Sequence, residues 1–124
     1  MPVLYHHTTS AASRFVRVCF SEVDFNADLV EELPWEKRPD FLKINPAGTL
    51  PVCLTDNGHA LCGPHIIAEW LDESFGVFKR DRRLLAEDPF RRAEIRRLME
   101  WFLIKFEQDV VRPLVRERIV KLQI

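Results

Sequence analysis

Apolar positions change their period along the chain, and the period predicts the elements. Val3-Leu4-Tyr5-His6 is a short β-prone run closed by the polar turn His7-Thr8-Thr9-Ser10. From Ser13 onward Phe15, Val16, Cys19, Phe20 and Val23 recur at three- and four-residue spacing, one face of a helix. Asp28 to Leu33 reads as a second strand, so the opening is a βαβ crossover unit with parallel strands. Pro34, Pro39 and Pro46 then make a loop with one helical turn around Pro39-Asp40-Phe41-Leu42. Pro51–Leu54 and Ala60–Cys62 are short strands joined by the turn Asp56-Asn57-Gly58. Pro64 stands at a first helical position, with Ile66, Ile67, Trp70 and Leu71 as the buried stripe. The order βαβ, loop, ββα describes a small mixed sheet with helices.

Beyond Gly76 the pattern becomes one long helical stretch opening at Asp88-Pro89, an N-cap followed by proline. Ile95, Leu98, Met99, Phe102, Phe106 and Val110 form its apolar stripe, and Pro113 is expected to kink or end it. Val115, Ile119, Val120 and Leu122 continue as a further turn or helix. So much apolar surface implies a chain that continues or that pairs with another.

Charge sharpens the division. Residues 1–78 hold 5 Lys/Arg against 11 Asp/Glu and residues 79–124 hold 13 against 8, so a net −6 is followed by +5. A module boundary is expected near Lys79, giving domains 1–78 and 79–124. The acidic first module and the net charge of −1 disfavour nucleic acid. No basic n-region and no long apolar run occur, which points away from a membrane and to a cytoplasmic protein. Cys19, Cys53 and Cys62 lack CxxC spacing and sit among apolar neighbours, as buried structural thiols do. His6, His7, His59 and His65 lack the spacing and acidic company of a metal site, so no metal is expected.

The element order, with a proline opening the third strand, resembles the thioredoxin fold. "FLKINPAGTLPVCL", "SAASRFVR" and "IIAEWLDE" resemble the N-terminal domain of the glutathione transferase superfamily over residues 2–76. The long helix after Lys79 resembles the first helix of that family's all-α second domain. The resemblance therefore implies an α/β thioredoxin-like N-terminal domain followed by the first helices of an all-α domain. "FVRV", "PWEKRPDFLKINPAGTLPV", "GPHIIAEWLDE" and "RRAEIRRLMEWFLIKF" more narrowly resemble a non-catalytic FzlA-like branch that binds the bacterial tubulin homologue FtsZ in cell division.

The resemblance also assigns roles. It makes Pro51 a cis-proline that leaves the backbone of Leu50 free to pair with the cysteinyl part of glutathione; the alternative is that Pro51 only shapes the strand entry. Ser10 matches the catalytic serine of the serine-type classes, where a hydroxyl at a helix start favours thiolate. A serine there is equally an ordinary cap, and Thr8, Thr9 and Ser13 compete for either role. Gly63 and Pro64 fall where most members carry Glu/Asp-Ser. Gly63 offers no carboxylate, and Pro64 neither hydroxyl nor N–H, which disfavours glutathione in the family's usual pose. His65 could meet a carboxylate and Lys37 or Arg38 the glycyl end; the plainer expectation is that His65 faces solvent and that Lys37 and Arg38 form a solvated loop face.

Two readings follow: a binding or regulatory protein with a degenerate glutathione site and FtsZ as partner, or an active transferase in which Ser10 activates the glutathione thiol. Arg91, Arg92, Arg96 and Arg97 recur on one side of the long helix. Set against the acidic first module, they favour a homodimer; the alternative pairs them internally with Glu94 and Glu100.

Overall fold

Strand β1 (Val3–His6) lies second in a four-stranded sheet of order β2-β1-β3-β4 in a computed structural model that describes residues 1–78 and 83–123. It pairs in parallel with β2 (Asp28–Glu31), Leu4 opposite Leu29, and antiparallel with β3 (Val52–Leu54), Leu4 opposite Cys53. Strand β4 (Ala60–Cys62) runs antiparallel to β3, with Val52 opposite Cys62. The parallel pair requires the crossover helix α1 (Ala11–Glu22), whereas the tight turn at Gly58, φ 82°, suffices for the antiparallel one.

Helix α1 buries Ala12, Ser13, Val16, Cys19 and Phe20, and packs beside α3 (Pro64–Ser74), which buries Ile67, Ala68, Leu71 and Asp72. The expected stripes need two corrections. Ile66 is 53% exposed and Trp70 half-buried, because the buried arc of α3 is centred one residue later, on Ile67, Ala68 and Leu71. Trp70 instead joins a ring cluster with Phe25 and Phe75, centroids 5.5 and 5.6 Å away. Phe15 is only half-buried, at the margin of the α1 face.

The second strand ends at Glu31, short of Leu33, since a 3-10 turn at Pro34–Glu36 begins as soon as Glu32 has donated its N–H to His6 O. The single turn expected at Pro39 is a full helix, α2 (Pro39–Ile44), with proline at its first position and Phe41 buried.

Asp72 is fully buried although charged. Arg83 Nη2 donates to its Oδ2 at 2.8 Å, and the Leu85 N–H donates to Oδ1 at 3.2 Å. A Cβ at Gly76 would fall 2.6 Å from the same Oδ1, so that position has no room for a side chain. The carboxylate thereby ties α3 to the segment after it, up to the end of the first compact unit at Leu85. The boundary expected near Lys79 lies outside the described residues.

The second unit begins at Ala86. Asp88 caps α4 (Pro89–Glu100), accepting from the Arg91 N–H at 2.9 Å. The chain stays helical through wide π turns at Trp101–Val111, an α turn at Arg112–Val115, π turns at Arg116–Val120 and a last α turn at Lys121–Gln123. Pro113 therefore does not end the helix. The lengthened bonding pattern before it changes which carbonyl would need the missing N–H, and the flanking residues keep helical angles, Val111 at φ −67° and Arg116 at φ −60°.

Replacing Asp72 by alanine removes the carboxylate to which the largely buried Arg83 and the Leu85 N–H both donate. A loss of about 3–5 kcal/mol in denaturant unfolding is expected, with Asp72→Asn intermediate.

Candidate functional site

The register collects the ends of several elements at one end of the sheet. Tyr5 faces Val52 and Val52 faces Cys62, so the end of β1, the start of β3 and the end of β4 lie side by side. Helices α1 and α3 both begin there.

At the start of α1, Ser10 has extended angles and its Oγ accepts from the Ser13 N–H at 3.0 Å, while its own N–H donates to His7 O. The serine is thus a cap, half-buried, with its hydroxyl hydrogen uncommitted to that bond. Arg14 closes the turn by donating to Thr8 O at 2.7 Å. His7 is only 5% exposed and meets Trp35 edge to face, ring centroids 5.2 Å apart. Its Nδ1 accepts from the Thr9 N–H at 3.1 Å and lies 2.8 Å from Thr9 Oγ1; its Nε2 lies 3.2 Å from Glu31 Oε1. Nothing in sequence distinguished His7 from the other histidines except that it directly follows a strand and precedes hydroxyl residues.

At the start of β3, the buried Asn45 acts as a brace. Its Nδ2 donates to Thr49 O and Oγ1 at 2.9 and 3.2 Å, its Oδ1 accepts from the Ala47 N–H, and its carbonyl accepts from the Gly48 N–H. The Leu50–Pro51 peptide bond that follows is cis. Pro51 O accepts from the Gly63 N–H at 3.0 Å. The N–H and C=O of Leu50 have no hydrogen-bond partner among the described residues.

At the start of α3, Gly63 has φ 107° and ψ 152°, angles that side chains exclude. A Cβ there would approach nothing nearer than Ile66 Cδ1 at 3.8 Å, so the demand for glycine is conformational rather than steric. Pro64 occupies the first helical position and no side chain caps the helix. His65 does not simply face solvent: its Nε2 is shielded and has no hydrogen-bond partner among the described residues.

Arg38 is not a free loop cation. It clasps the buried Glu32 with two nitrogens, Nε to Oε2 at 3.0 Å and Nη2 to Oε1 at 2.8 Å, and this pairing raises its already high pKa. The sequence pairing of an acid at the end of a strand with an arginine six residues on was the available signal. Lys37 is exposed in the left-handed region, φ 51°, and has no side-chain bond to any of the groups above.

The family profile described as Glutathione S-transferase, N-terminal domain, matches residues 2–74. The chain belongs to the glutathione S-transferase family.

FtsZ-localized protein A of Caulobacter vibrioides is 34% identical over 95% of the chain, which covers 51% of that protein. The solved structure of FzlA from C. crescentus superposes with a TM-score of 0.86 at 32% identity, over 98% of this chain and 54% of the other. A glutathione S-transferase structure from Sinorhizobium meliloti gives a TM-score of 0.97 at 67% identity, over 100% of this chain and 54% of that one. A Methylobacterium radiotolerans transferase in complex with glutathione sulfonate gives 0.68 at 30% identity, over 77% and 43%. The chain thus spans about half the length of the relatives it matches.

The helical unit of this glutathione S-transferase chain exposes Trp101, Phe102, Phe106 and Leu114. Of its arginine cluster, Arg97 pairs with Glu94, which lowers the carboxylate's pKa. The thiols lie in the other unit. Cys19 and Cys53 are buried and Cys62 half-buried, and burial raises their pKa values, to about 12 for Cys19 and about 11 for Cys53.

Two outcomes are expected. In neutral buffer a disulfide reagent should leave Cys19 and Cys53 unreacted, with all three thiols counted only after unfolding. Gly63→Ala should cost about 1–3 kcal/mol in unfolding free energy despite the open space around it, because alanine cannot take its φ cheaply.

Proposed function

We propose that this chain is the thioredoxin-like domain, residues 1–78, and the start of the all-α domain, residues 79–124, of a binding or regulatory protein on a glutathione transferase scaffold, with FtsZ as its partner in cell division. The observation that carries the reading is the junction Gly63-Pro64. Where the resemblance calls for a carboxylate and a hydroxyl, the residues present offer neither, and Pro64 also removes one of the N–H groups at the start of α3. Two missing charge-assisted contacts amount to about 1.5–3 kcal/mol each, enough to reduce a ligand of ordinary affinity to negligible occupancy. Kinship with FtsZ-localized protein A over 95% of the chain supports FtsZ as the partner. In this reading Ser10 is a helix cap and Pro51 shapes the entry to β3.

The protein acts in the cytoplasm as a homodimer. Among the described residues no helix is long and apolar enough to cross a membrane. The exposed aromatic face of the helical unit offers the surface for a second copy, and the charge division of −6 and +5 between the modules favours mutual docking.

A second reading, an active glutathione transferase, is favoured by a specific observation: the unpaired backbone of Leu50, next to a cis-proline, is a ready partner for a peptide-like thiol. Ser10 would then donate to the thiolate, while Leu50, Pro51, Gly63, Pro64, His65 and Lys37 would line the ligand.

The readings separate in two measurements. The binding protein is expected to sediment with FtsZ polymers and to show no amide shifts at Ser10, Leu50 or Gly63 in a glutathione titration up to millimolar concentration. Saturable shifts at Ser10 and Leu50, with no FtsZ in the pellet, would transfer the assignment to the transferase.

A further inference from the structure

Strand β2 stands at the edge of the sheet, and part of its backbone is left without a bond. The Asp28 N–H donates to Pro2 O at 2.8 Å and the Glu32 N–H to His6 O at 2.9 Å, so both residues aim their backbone at β1. Successive residues of a strand bond to opposite sides. Val30 therefore also turns toward β1, while Leu29 and Glu31 point their N–H and C=O groups away from the sheet. Those outward groups have no hydrogen-bond partner among the described residues.

The side chains along this edge are exposed as well, the apolar Leu29 and Val30 included. An exposed edge is commonly guarded by lysine, by proline within the strand or by a bulge. Strand β2 reads Asp-Leu-Val-Glu, and its register with β1 runs unbroken from Val3 opposite Asp28 to His6 opposite Glu31, so it has none of the three. Leu29 and Glu31 lie on one face of the strand, Asp28 and Val30 on the other, and each face thus shows one apolar side chain beside one carboxylate. Glu31 is 61% exposed even with its Oε1 3.2 Å from His7 Nε2. Two cations close in the chain are engaged elsewhere, the Met1 ammonium with Asp56 and Arg38 with Glu32. A second copy of the strand is a poor occupant. Pairing two such edges would gather Asp28 and Glu31 of both copies with no cation on either strand.

We infer that the β2 edge takes an extended, basic segment of a partner protein as an added strand, held by main-chain bonds to Leu29 and Glu31 and by cations set opposite Asp28 and Glu31. The pattern of the segment follows from that of β2: basic, apolar, apolar, basic, opposite Glu31, Val30, Leu29 and Asp28. Main-chain bonds supply affinity in strand addition, and the cross-strand pairs, opposite charges at the ends and apolar contacts between, supply the selectivity. The inference goes beyond both readings of function, because neither the Gly63-Pro64 junction nor the Leu50 backbone takes part in it.

The test reads amide hydrogen exchange by NMR on the isotope-labelled chain, with the end-blocked peptide Thr-Lys-Val-Val-Lys-Thr as probe. Two control peptides carry Glu at both Lys positions, or N-methyl groups on the Lys and Val residues, which keep the charges and remove the main-chain donors. In the free chain Leu29 and Glu31 are expected to exchange faster than Val30 at every protein concentration. Protection of Leu29 and Glu31 that grows with protein concentration would place a second copy on the edge and overturn the inference. With the Lys peptide near saturation, exchange at Leu29 and Glu31 should slow about tenfold, with little change under either control peptide. Glu31→Lys should weaken the response to the Lys peptide and strengthen that to the Glu peptide. No slowing at Lys peptide concentrations up to about 10 mM overturns the inference. So does equal slowing by either control, or an unchanged peptide preference in Glu31→Lys.

Discussion

The bond from the Gly63 N–H to Pro51 O, 3.0 Å long, joins the entry of β3 to the exit of β4, and the site is arranged around it. It forms because Gly63 adopts φ 107°, which aims its N–H at β3 while its carbonyl turns to accept from Ile67 and start α3. Any side chain at that position would oppose these angles. The same bond occupies Pro51 and stops there, so the next residue back, Leu50, keeps its backbone groups unpaired. Gly63 takes these angles without cost, so glycine suits this strand-to-helix junction at the position where the family resemblance would place a carboxylate.

Around that junction, buried polar side chains hold segments that have little apolar surface of their own. Asn45 braces the loop ahead of Pro51, Glu32 anchors Arg38 beneath the turn after β2, and Asp72 gathers the segment that follows α3. Each sits where a loop must be kept in one conformation, and each has its hydrogen-bonding capacity met by named partners. Burial of such groups is costly unless satisfied, so they specify geometry more than they add stability. His7 belongs with them in burial but differs in its partners, a hydroxyl on one nitrogen and an exposed carboxylate on the other.

Kinship and local chemistry point at different levels of function. Matches over half the length of longer relatives establish the scaffold, and one relative named for its localisation with FtsZ supplies a direction. The chemistry at this end of the sheet is mixed: Gly63 and Pro64 bring no charged or hydroxyl group to the start of α3, while the Leu50 backbone is open among the described residues.

Sequence alone determined the order of strands and main helices, the parallel pairing of β1 with β2, the antiparallel pairing of β3 with β4 and the long terminal helix, because these follow from local periods, from prolines and from turn residues, whereas the central pairing of β1 with β3 came only from the tertiary structure. Local rules also put Pro64 at a first helical position and Pro51 at the opening of a strand that in the structure starts one residue later, at Val52, while the choice of Ser10 among four candidate caps came from the fold. The tertiary structure decided what depends on neighbours distant in the chain. Trp70 leaves the expected stripe for an aromatic cluster, His65 is shielded, and Arg38 is committed to Glu32. Pro113 is carried through the helix by the width of the turns before it. Above all, only strand register sets Glu31 of β2 beside His7 of the first turn, and no period within either segment encodes that meeting.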